Sequence, residues 1–170
     1  MESIINYREY YHTQEHRSIE LTEPVLCNRA DAWLGRGYYF WYDILDAREW
    51  GKNSKKSFEY FEIYKSQLSK ENILDTVFNE EHYLFWLKMI ETTANLITQK
   101  TGIKASIQEI NEYFIEKALW NDLNGIQFQD LPKNQNLSLI TNFYYRKRIQ
   151  IVLFTLTNVK TFERIEISPL

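Results

Sequence analysis

One segment of this chain stands out, namely Trp33-Leu34-Gly35-Arg36-Gly37-Tyr38-Tyr39-Phe40-Trp41. Five of its nine residues are aromatic and two are glycines. Glycine permits positive φ values and a close approach of a ligand to the backbone, and aromatic faces stack on flat rings. The segment therefore predicts either a tight turn that leads into a core strand, or one wall of a cleft for a planar, ring-containing ligand.

Upstream and downstream of this block the chain carries strand signals. The run Tyr10-Tyr11-His12-Thr13 is aromatic and β-branched, which is typical of a strand. Residues from Gly37 to Trp41 indicate a second strand that is entered through a glycine turn. The run from Phe58 to Leu68 is ambiguous, but Phe61 and Ile63 alternate with polar residues, and this favours a strand.

Apolar residues at helical spacing predict three helices. The first follows the glycine-aromatic block, with Asp43 as its cap and Gly51 as its expected end. Gly102 is expected to end a longer helix, and Ser106 with Glu109 fits a capping box before the third. We expect the second and third helices to pack on the core through their apolar faces. The apolar residues of the three helices are Ile44, Ala47 and Trp50; Leu84, Leu87, Ile90, Ala94 and Ile97; and Ile107, Ile110, Phe114 and Ala118.

The last third of the chain returns to strands. Residues Gly125 to Gln129 alternate and are followed by the turn signal Asp130-Leu131-Pro132, with a polar loop over residues 133–136. The run from Arg148 to Thr155 is mostly apolar and β-branched, as expected of a strand buried on both faces, and Gln150 is its polar exception. Strands at both ends with helices between them predict an α+β domain.

Bulk composition limits the class of protein. The 170 residues fit a single domain, and 44% hydrophobic residues argue against disorder. The net charge of −3 disfavours a broad basic surface for nucleic acid. A single cysteine, Cys27, and three histidines give no disulfide framework and no metal-ligand spacing. With no signal peptide and no long apolar run, we expect no membrane contact and a cytoplasmic location.

Three features fit either a structural or a chemical role. His12 is either a structural histidine or a ligand-binding group. Gln150 carries an amide that must find a hydrogen-bond partner when buried, either from the backbone or from a ligand. The basic cluster Arg146-Lys147-Arg148 is either the solvated start of a strand or a site that binds an anion.

Taken in chain order, these elements resemble the bacterial toxin-like ADP-ribosyltransferases of the His-Tyr-Glu class, which is related to diphtheria toxin and the poly-ADP-ribose polymerases. The glycine-aromatic block is the most specific part of the resemblance. The region from about Ser69 to Asn124 carries no recognised signature and is interpreted as a helical insertion in a single domain of residues 1–170. The matching segments are Tyr11–Thr13, Trp33–Trp41, Ala47–Trp50, Gly125–Phe128 and Arg146–Leu153.

The resemblance implies a split, twisted β-sheet that holds NAD in the cleft between two half-sheets. It implies that His12 hydrogen-bonds a ribose and that Tyr39 stacks on the nicotinamide. Tyr38 is the less favoured ring, because alternation along a strand sends neighbouring side chains to opposite faces. Trp33 and Trp41 are expected to be core residues or walls of the cleft.

The remaining expected NAD contacts surround these residues. Tyr11 and Thr13 flank His12, and Thr13 is expected to add a hydroxyl or backbone contact. Gly35 and Gly37 are expected to let the backbone approach the ribose next to the nicotinamide. Arg36 and Arg146 are the candidates for the pyrophosphate of NAD.

Gln150 stands where enzymes of this class usually carry glutamate. Cleavage of the bond between nicotinamide and ribose builds positive charge on the sugar, as in glycoside hydrolysis. A carboxylate orients the ribose hydroxyl and stabilises that charge, whereas glutamine keeps only the hydrogen bond. The carboxylates Glu49, Glu59 and Glu62 are alternative sources of charge, but no spacing singles one out.

The expected function is NAD-dependent transfer of ADP-ribose to a macromolecular acceptor, which is a protein or a nucleic acid, with catalysis by His12, Tyr39 and Gln150. A toxin, toxin–antitoxin or phage-defence role, with an antitoxin as a further partner, is expected by analogy alone. Two alternatives stay open. One is a module that binds NAD or ADP-ribose without turnover, and the other is an interaction protein that uses its aromatic residues as a partner surface.

Overall fold

Seven strands form one mixed sheet that supports the rest of the fold. The computed structural model describes residues 6–55, 57–130 and 147–170. Neighbouring strands are antiparallel except for β4 and β5, which run parallel. With three helices the sheet forms an α+β architecture, as the sequence predicts. In sheet order the strands are β4 (Ile73–Asp75), β5 (Gly125–Asp130), β6 (Arg148–Leu153), β2 (Tyr38–Trp41), β1 (Tyr7–Glu15), β3 (Tyr60–Ser69) and β7 (Glu163–Pro169).

The sheet is almost divided in two between β1 and β2. In the described part of the chain these strands pair at one position, where Tyr11 lies opposite Trp41. By contrast, β1 pairs with β3 at nine positions and β2 pairs with β6 at four. The sheet therefore has two halves, β4-β5-β6-β2 and β1-β3-β7, which meet at this single pair. We call the junction the seam.

The core lies on both faces of the sheet. Strand β6 is buried at all six residues, so its two faces contribute to different apolar clusters, as the sequence predicts for a strand covered on both sides. Val152 packs with Phe128 and Leu34 on one face, and Ile151 packs with Tyr10 and Phe40 on the other. A third cluster crosses the seam, because Trp41 of β2 packs with Ala47 and with Phe61 and Ile63 of β3.

The helices begin and end largely where their caps predict. They are α1 (Ile44–Ser54), α2 (Glu80–Thr101) and α3 (Ile107–Glu116). The Asp43 carboxylate accepts from the N–H of Leu45, Gly102 ends α2 with a φ of 72°, and the capping box of Ser106 and Glu109 is present. The prediction that Gly51 ends the first helix is wrong. Gly51 lies inside α1 because a Cβ there would overlap the ring of Phe61 on β3.

The expected packing of α2 is only partly right. Ile90, Ala94 and Ile97 contact the core, but Leu84 is 55% exposed, and Thr93 is the residue of this helix that is fully buried. Geometry explains the difference, since a helix of 22 residues spans about 33 Å. The neighbouring strand β4 has three residues and spans only about 10 Å. Much of α2 therefore extends beyond the edge of the sheet.

The region interpreted as a helical insertion also contributes a strand. Strand β4 lies within it and pairs with β5, which the sequence did not predict. The third apolar stripe ends early, because Ala118 lies beyond α3 with a φ of 58°. The predicted polar loop of residues 133–136 lies outside the described residues. Among the described helices, none is both long enough and apolar enough to cross a membrane.

Candidate functional site

A cavity of about 510 Å³ opens at the seam. Its floor is formed where β1, β2 and β6 lie side by side, and the end of α1 closes one side with Trp50 and Lys55. The opposite wall comes from residues 25–33, in the irregular chain that joins β1 to β2. We call that connection, residues 16–37, the β1–β2 segment, and the opening the seam cavity.

The seam cavity brings together four of the residues that the sequence nominates. His12 and Thr13 come from β1, Tyr39 from β2 and Gln150 from β6, and all four line the cavity. Five other nominated residues do not line it, and Arg146 lies outside the described residues. The five are Tyr11, Gly35, Arg36, Gly37 and Tyr38.

Alternation along β2 explains why Tyr38 is excluded, whereas Tyr11 is excluded by its packing against Trp41. Tyr39 faces the cavity, whereas Tyr38 packs against the cluster of Tyr10 and Phe40 on the other face of the sheet. Tyr11 packs against the cluster that includes Trp41. Arg36 is exposed at the turn, away from the cavity lining. The expected NAD contacts of Tyr11, Tyr38 and Arg36 therefore have no counterpart in the cavity wall.

His12 fills the gap where β1 and β2 diverge. Its Nδ1 lies 2.8 Å from the carbonyl oxygen of Tyr39, and its Nε2 lies 3.3 Å from the backbone N–H of Val25. Since a carbonyl only accepts, Nδ1 carries the proton and Nε2 accepts from Val25. Burial lowers the pKa of His12 to about 4, although the hydrogen bond to Tyr39 opposes the shift. The imidazole is therefore neutral at physiological pH and connects β1, β2 and the cavity wall.

Tyr39 and Thr13 also use their hydroxyl groups for structure. The Tyr39 hydroxyl donates to the carbonyl of Gly35 at 2.7 Å and accepts from the N–H of Leu34 at 3.2 Å. Burial raises the pKa of Tyr39, so the hydroxyl stays protonated. The Thr13 hydroxyl donates to the carbonyl of Ala47 in α1 at 3.0 Å. What remains for a ligand is mainly the face of the Tyr39 ring.

The two glycines of the turn are explained by backbone conformation and packing. Gly35 has a φ of 82°, which a side chain disfavours, and it is held by the Tyr39 hydroxyl. Gly37 forms a backbone bridge with Cys27, and a Cβ on Gly37 would overlap the side chain of Val152. The expected role of both glycines, a close approach to ribose, is therefore not seen in the cavity lining.

Substituting Gly37 by alanine is expected to lower the free energy of unfolding by about 1–3 kcal/mol, because the added methyl group overpacks the contact with β6. Chemical denaturation at neutral pH measures the change. Gly102→Ala is the matched control: that position has open space around it and a positive φ, so only backbone strain of about 1 kcal/mol is expected. If Gly37→Ala were as stable as the parent, β6 would have to shift enough to accommodate the added methyl group, and the predicted overpacking would be wrong.

Gln150 and Trp41 define the floor of the cavity. They lie opposite each other on β6 and β2, so their side chains share one face of the sheet. Gln150 is 8% exposed, and in the described part of the chain its carboxamide makes no hydrogen bond. The Arg148 guanidinium lies 4.8 Å from the centre of the Trp41 ring, in cation–π range. The floor thus presents one amide beside a fixed aromatic ring.

Two groups of aromatic side chains line the cavity. Trp33 stacks on Phe128 with ring centres 4.8 Å apart, and Tyr39 meets the edge of the same Phe128. On the other side, Trp41 and Trp50 have ring centres 5.6 Å apart. The cavity lining therefore includes three indole rings and one phenol ring, which suits a ligand that carries flat rings.

Charged residues that the sequence did not nominate also line the cavity. Glu15 pairs with Lys55 at 2.9 Å and with Arg17 at 2.7 Å. Burial would raise the pKa of Glu15, but these cations outweigh it and the pKa falls to about 2. Arg29 pairs with Asp31 at 3.0 Å. Glu15 could have been nominated from the sequence, because it follows Thr13 by two residues on the same strand and such residues share one face of the sheet.

A buried carboxylate anchors the start of the β1–β2 segment. Glu62 of β3 has no exposed side-chain surface, accepts from the hydroxyl of Tyr64, and pairs with His16 at 2.7 Å and with Arg164 at 2.9 Å. Tyr64 in turn accepts from the N–H of Leu21 at 3.1 Å. Burial raises the pKa of Glu62, but the hydrogen bonds from its three partners outweigh burial, and the pKa lies below its usual range.

Glu62→Gln is expected to destabilise the protein by about 3 kcal/mol or more at pH 7, because Arg164 loses a buried partner. The difference in free energy of unfolding between parent and variant should shrink below about pH 4.3. There the unfolded parent binds a proton at Glu62 that the folded parent does not bind, so the parent loses stability as the pH falls. Denaturation from pH 7 to 3 measures this. Glu59→Gln, at an exposed position, is the control. A constant difference across this range would contradict the depressed pKa.

The helical insertion supports the other end of the same segment. The side-chain amide of Asn111 on α3 donates to the carbonyl of Leu34 at 2.8 Å. The indole N–H of Trp120 donates to the side-chain oxygen of Asn111 at 3.0 Å. The turn at residues 34–35 is therefore held from two directions. The Tyr39 hydroxyl bonds to it from β2, and Asn111 bonds to it from the insertion.

Comparison with known protein families, curated proteins and solved structures finds no match for this chain. Within residues 6–55, 57–130 and 147–170, no group of three or more histidine, cysteine, aspartate or glutamate side chains is placed to hold a metal ion. The case for a function therefore rests on the seam cavity itself, with its flat aromatic walls, its one amide and its paired charges.

Proposed function

We propose that this protein is an NAD-dependent ADP-ribosyltransferase whose active site is the seam cavity. The observation that carries the proposal is the convergence of His12, Tyr39 and Gln150, from three segments distant in the chain, on one cavity. The sequence nominated these three residues through a resemblance that implies a cleft between two half-sheets. The near division of the sheet at the Tyr11–Trp41 pair, with a cavity beside it, supports this proposal.

The shape and lining of the cavity support a dinucleotide. A volume of about 510 Å³ lies in the range of small-molecule sites. NAD carries two flat ring systems, and two groups of aromatic side chains line the cavity, namely Trp33 with Tyr39 and Trp41 with Trp50. Lys55 and Arg29 are the lining cations that can face its pyrophosphate, in place of Arg36.

Each of the three central residues then has a distinct task. The ring of Tyr39 stacks on the nicotinamide, and the amide of Gln150 hydrogen-bonds a hydroxyl of the adjacent ribose. His12 acts mainly as a positioning residue, because both of its ring nitrogens hold protein groups. A direct hydrogen bond from ribose to Nε2 requires that the 3.3 Å bond from Val25 be given up.

The reaction exchanges one bond at the ribose for another. The bond between C1′ and the nicotinamide nitrogen breaks, and its electron pair leaves with the nicotinamide, which becomes neutral. An oxygen or nitrogen of the acceptor forms the new bond to C1′ and releases a proton to solvent. The acceptor is a protein or a nucleic acid, and we propose a role as a toxin or phage-defence effector in the cytoplasm, with an antitoxin as partner.

The proposal is tested by calorimetric titration with NAD and by chromatographic detection of nicotinamide release, with and without bacterial extract. Binding and release together support it, and mass analysis of the extract identifies the acceptor. An absence of NAD binding would refute it. Expression in bacteria adds a functional test, in which the parent should arrest growth and Tyr39→Ala should not, with Tyr38→Ala as the control on the opposite face.

A module that binds NAD without turnover is the second candidate. The observation that favours it is Gln150 itself, since glutamine in place of a carboxylate removes a charge that the reaction uses. This candidate predicts NAD binding with no nicotinamide release in any extract. It also predicts that Gln150→Glu leaves the protein inactive, whereas a gain of activity would support an enzyme.

A further inference from the structure

Asp130 lies on the cavity wall beside Gln150. Strands β5 and β6 pair with Phe128 opposite Gln150 and Asp130 opposite Arg148. Side chains alternate along a strand, so Asp130 and Gln150 are diagonal neighbours on the same face of the sheet. Both residues line the seam cavity. A carboxylate and an amide are thus presented together at the floor, although they are 20 positions apart in the chain.

The position of Asp130 is fixed by a buried cation. Its Oδ2 lies 3.3 Å from a terminal nitrogen of Arg148, whose side chain is only 7% exposed. Arg148 is held in turn against the ring of Trp41. Asp130 lines the cavity, whereas Arg148 does not, so the ion pair places the carboxylate rather than the guanidinium at the cavity surface.

The other carboxylates of the cavity are less suited to act beside Gln150. Glu15 belongs to β1, across the seam from the strand that carries Gln150. Asp31 has a side chain that is 78% exposed, so water screens its charge. Glu62 is buried among its own partners and does not line the cavity. Asp130 alone among the described lining carboxylates shares a strand ladder with Gln150.

We infer that Asp130 supplies the negative charge that Gln150 lacks, so that the pair performs the task of one catalytic glutamate. This inference rests on the proposed function. Gln150 orients the ribose hydroxyl, and the Asp130 carboxylate stabilises the positive charge that develops on the ribose as the C1′–nitrogen bond breaks. The electron pair goes to nicotinamide, the incoming oxygen closes the new bond to C1′, and its proton goes to solvent.

The test measures steady-state nicotinamide release with Asp130→Asn, which preserves shape and removes charge. We expect kcat to fall by about 10²- to 10³-fold, as for other single groups that stabilise transition-state charge, with little change in KM. The double variant Asp130→Asn/Gln150→Glu should have a kcat at least tenfold higher than that of Asp130→Asn. Asp122→Asn, at an exposed carboxylate outside the cavity, is the matched control and should retain the activity of the parent.

The outcomes separate this inference from the proposed function. If Asp130→Asn had the same kcat as Asp122→Asn, or if it changed only KM, the role of Asp130 would be overturned while the proposed enzyme activity stayed in place. A parent that does not bind NAD would overturn both. Thermal unfolding monitors folding of each variant, and Asp130→Ser, which leaves an oxygen acceptor for Arg148, replaces the asparagine variant if that variant does not fold.

Discussion

His12→Ala is expected to lower the free energy of unfolding by about 3–5 kcal/mol, as other large-to-small substitutions in cores do. The imidazole is 4% exposed and lies between the rings of Phe40 and Phe162. Its removal also leaves the carbonyl of Tyr39 and the N–H of Val25 without partners, which adds about 1–3 kcal/mol for each group that stays dry. Urea denaturation at pH 7 measures the loss.

The same variant should change the pH dependence of stability. Between about pH 6.5 and 4 the unfolded state binds a proton on this imidazole and the folded state does not, because the pKa of His12 is lowered to about 4. The parent therefore loses stability as the pH falls through that window, by roughly 3 kcal/mol from this group. His12→Ala should lack this component of the slope.

His82→Ala is the control for both measurements. The Nδ1 of His82 accepts one hydrogen bond, from the N–H of Asp75 at 3.0 Å, so a loss of about 1 kcal/mol is expected. If His12→Ala cost no more than this control, the imidazole would not be the structural connection described here. The expected instability also means that loss of activity in His12→Ala cannot by itself identify a catalytic histidine.

Tyr39→Ala is expected to weaken NAD binding by about 10- to 100-fold, since stacking of one base on an aromatic side chain contributes about 1–3 kcal/mol. Tyr39→Phe keeps the ring and loses the bonds to Gly35 and Leu34. It should therefore bind NAD nearly as well as the parent while losing about 1–2 kcal/mol of stability. Calorimetry below the unfolding midpoint of the least stable variant gives the dissociation constants.

Tyr38→Ala provides the comparison for Tyr39→Ala, because this ring lies on the opposite face of the sheet. Its dissociation constant for NAD should match that of the parent. Equal affinities for the two alanine variants would remove the stacking role of Tyr39. Weaker binding in Tyr39→Phe, comparable to that in Tyr39→Ala, would instead assign the effect to the turn at Gly35 rather than to the ring.

Local rules in the sequence predict much of the secondary structure. Four local predictions are confirmed, because each depends on a few adjacent residues. They are the strand that ends at Trp41, the cap at Asp43, the helix end at Gly102 and the capping box at Ser106. The family resemblance, together with strand alternation, favoured Tyr39 over Tyr38, and Tyr39 is the ring that lines the cavity. Strand β7 was missed, although its side chains alternate between exposed and half-buried.

Features that depend on distant segments could not be predicted. Gly51 continues α1 because Phe61 packs against it from another strand, and no local pattern distinguishes this from a helix stop. Strand β4 has three residues, too few for a periodic signal, and depends on pairing with β5. Asp130 was interpreted only as part of a turn, since its place beside Gln150 follows from the register of β5 and β6.

Side chains, more than backbone pairing, join the two halves of the sheet at the seam. Behind it, on the face opposite the cavity, the Tyr10 hydroxyl donates to Gln127 across the junction, and Tyr10 packs with Phe40 and Ile151 from the other half. In front, Trp41 of one half packs with Phe61 and Ile63 of the other. The junction is therefore closed by side chains on both faces, while each half is held by its own backbone hydrogen bonds.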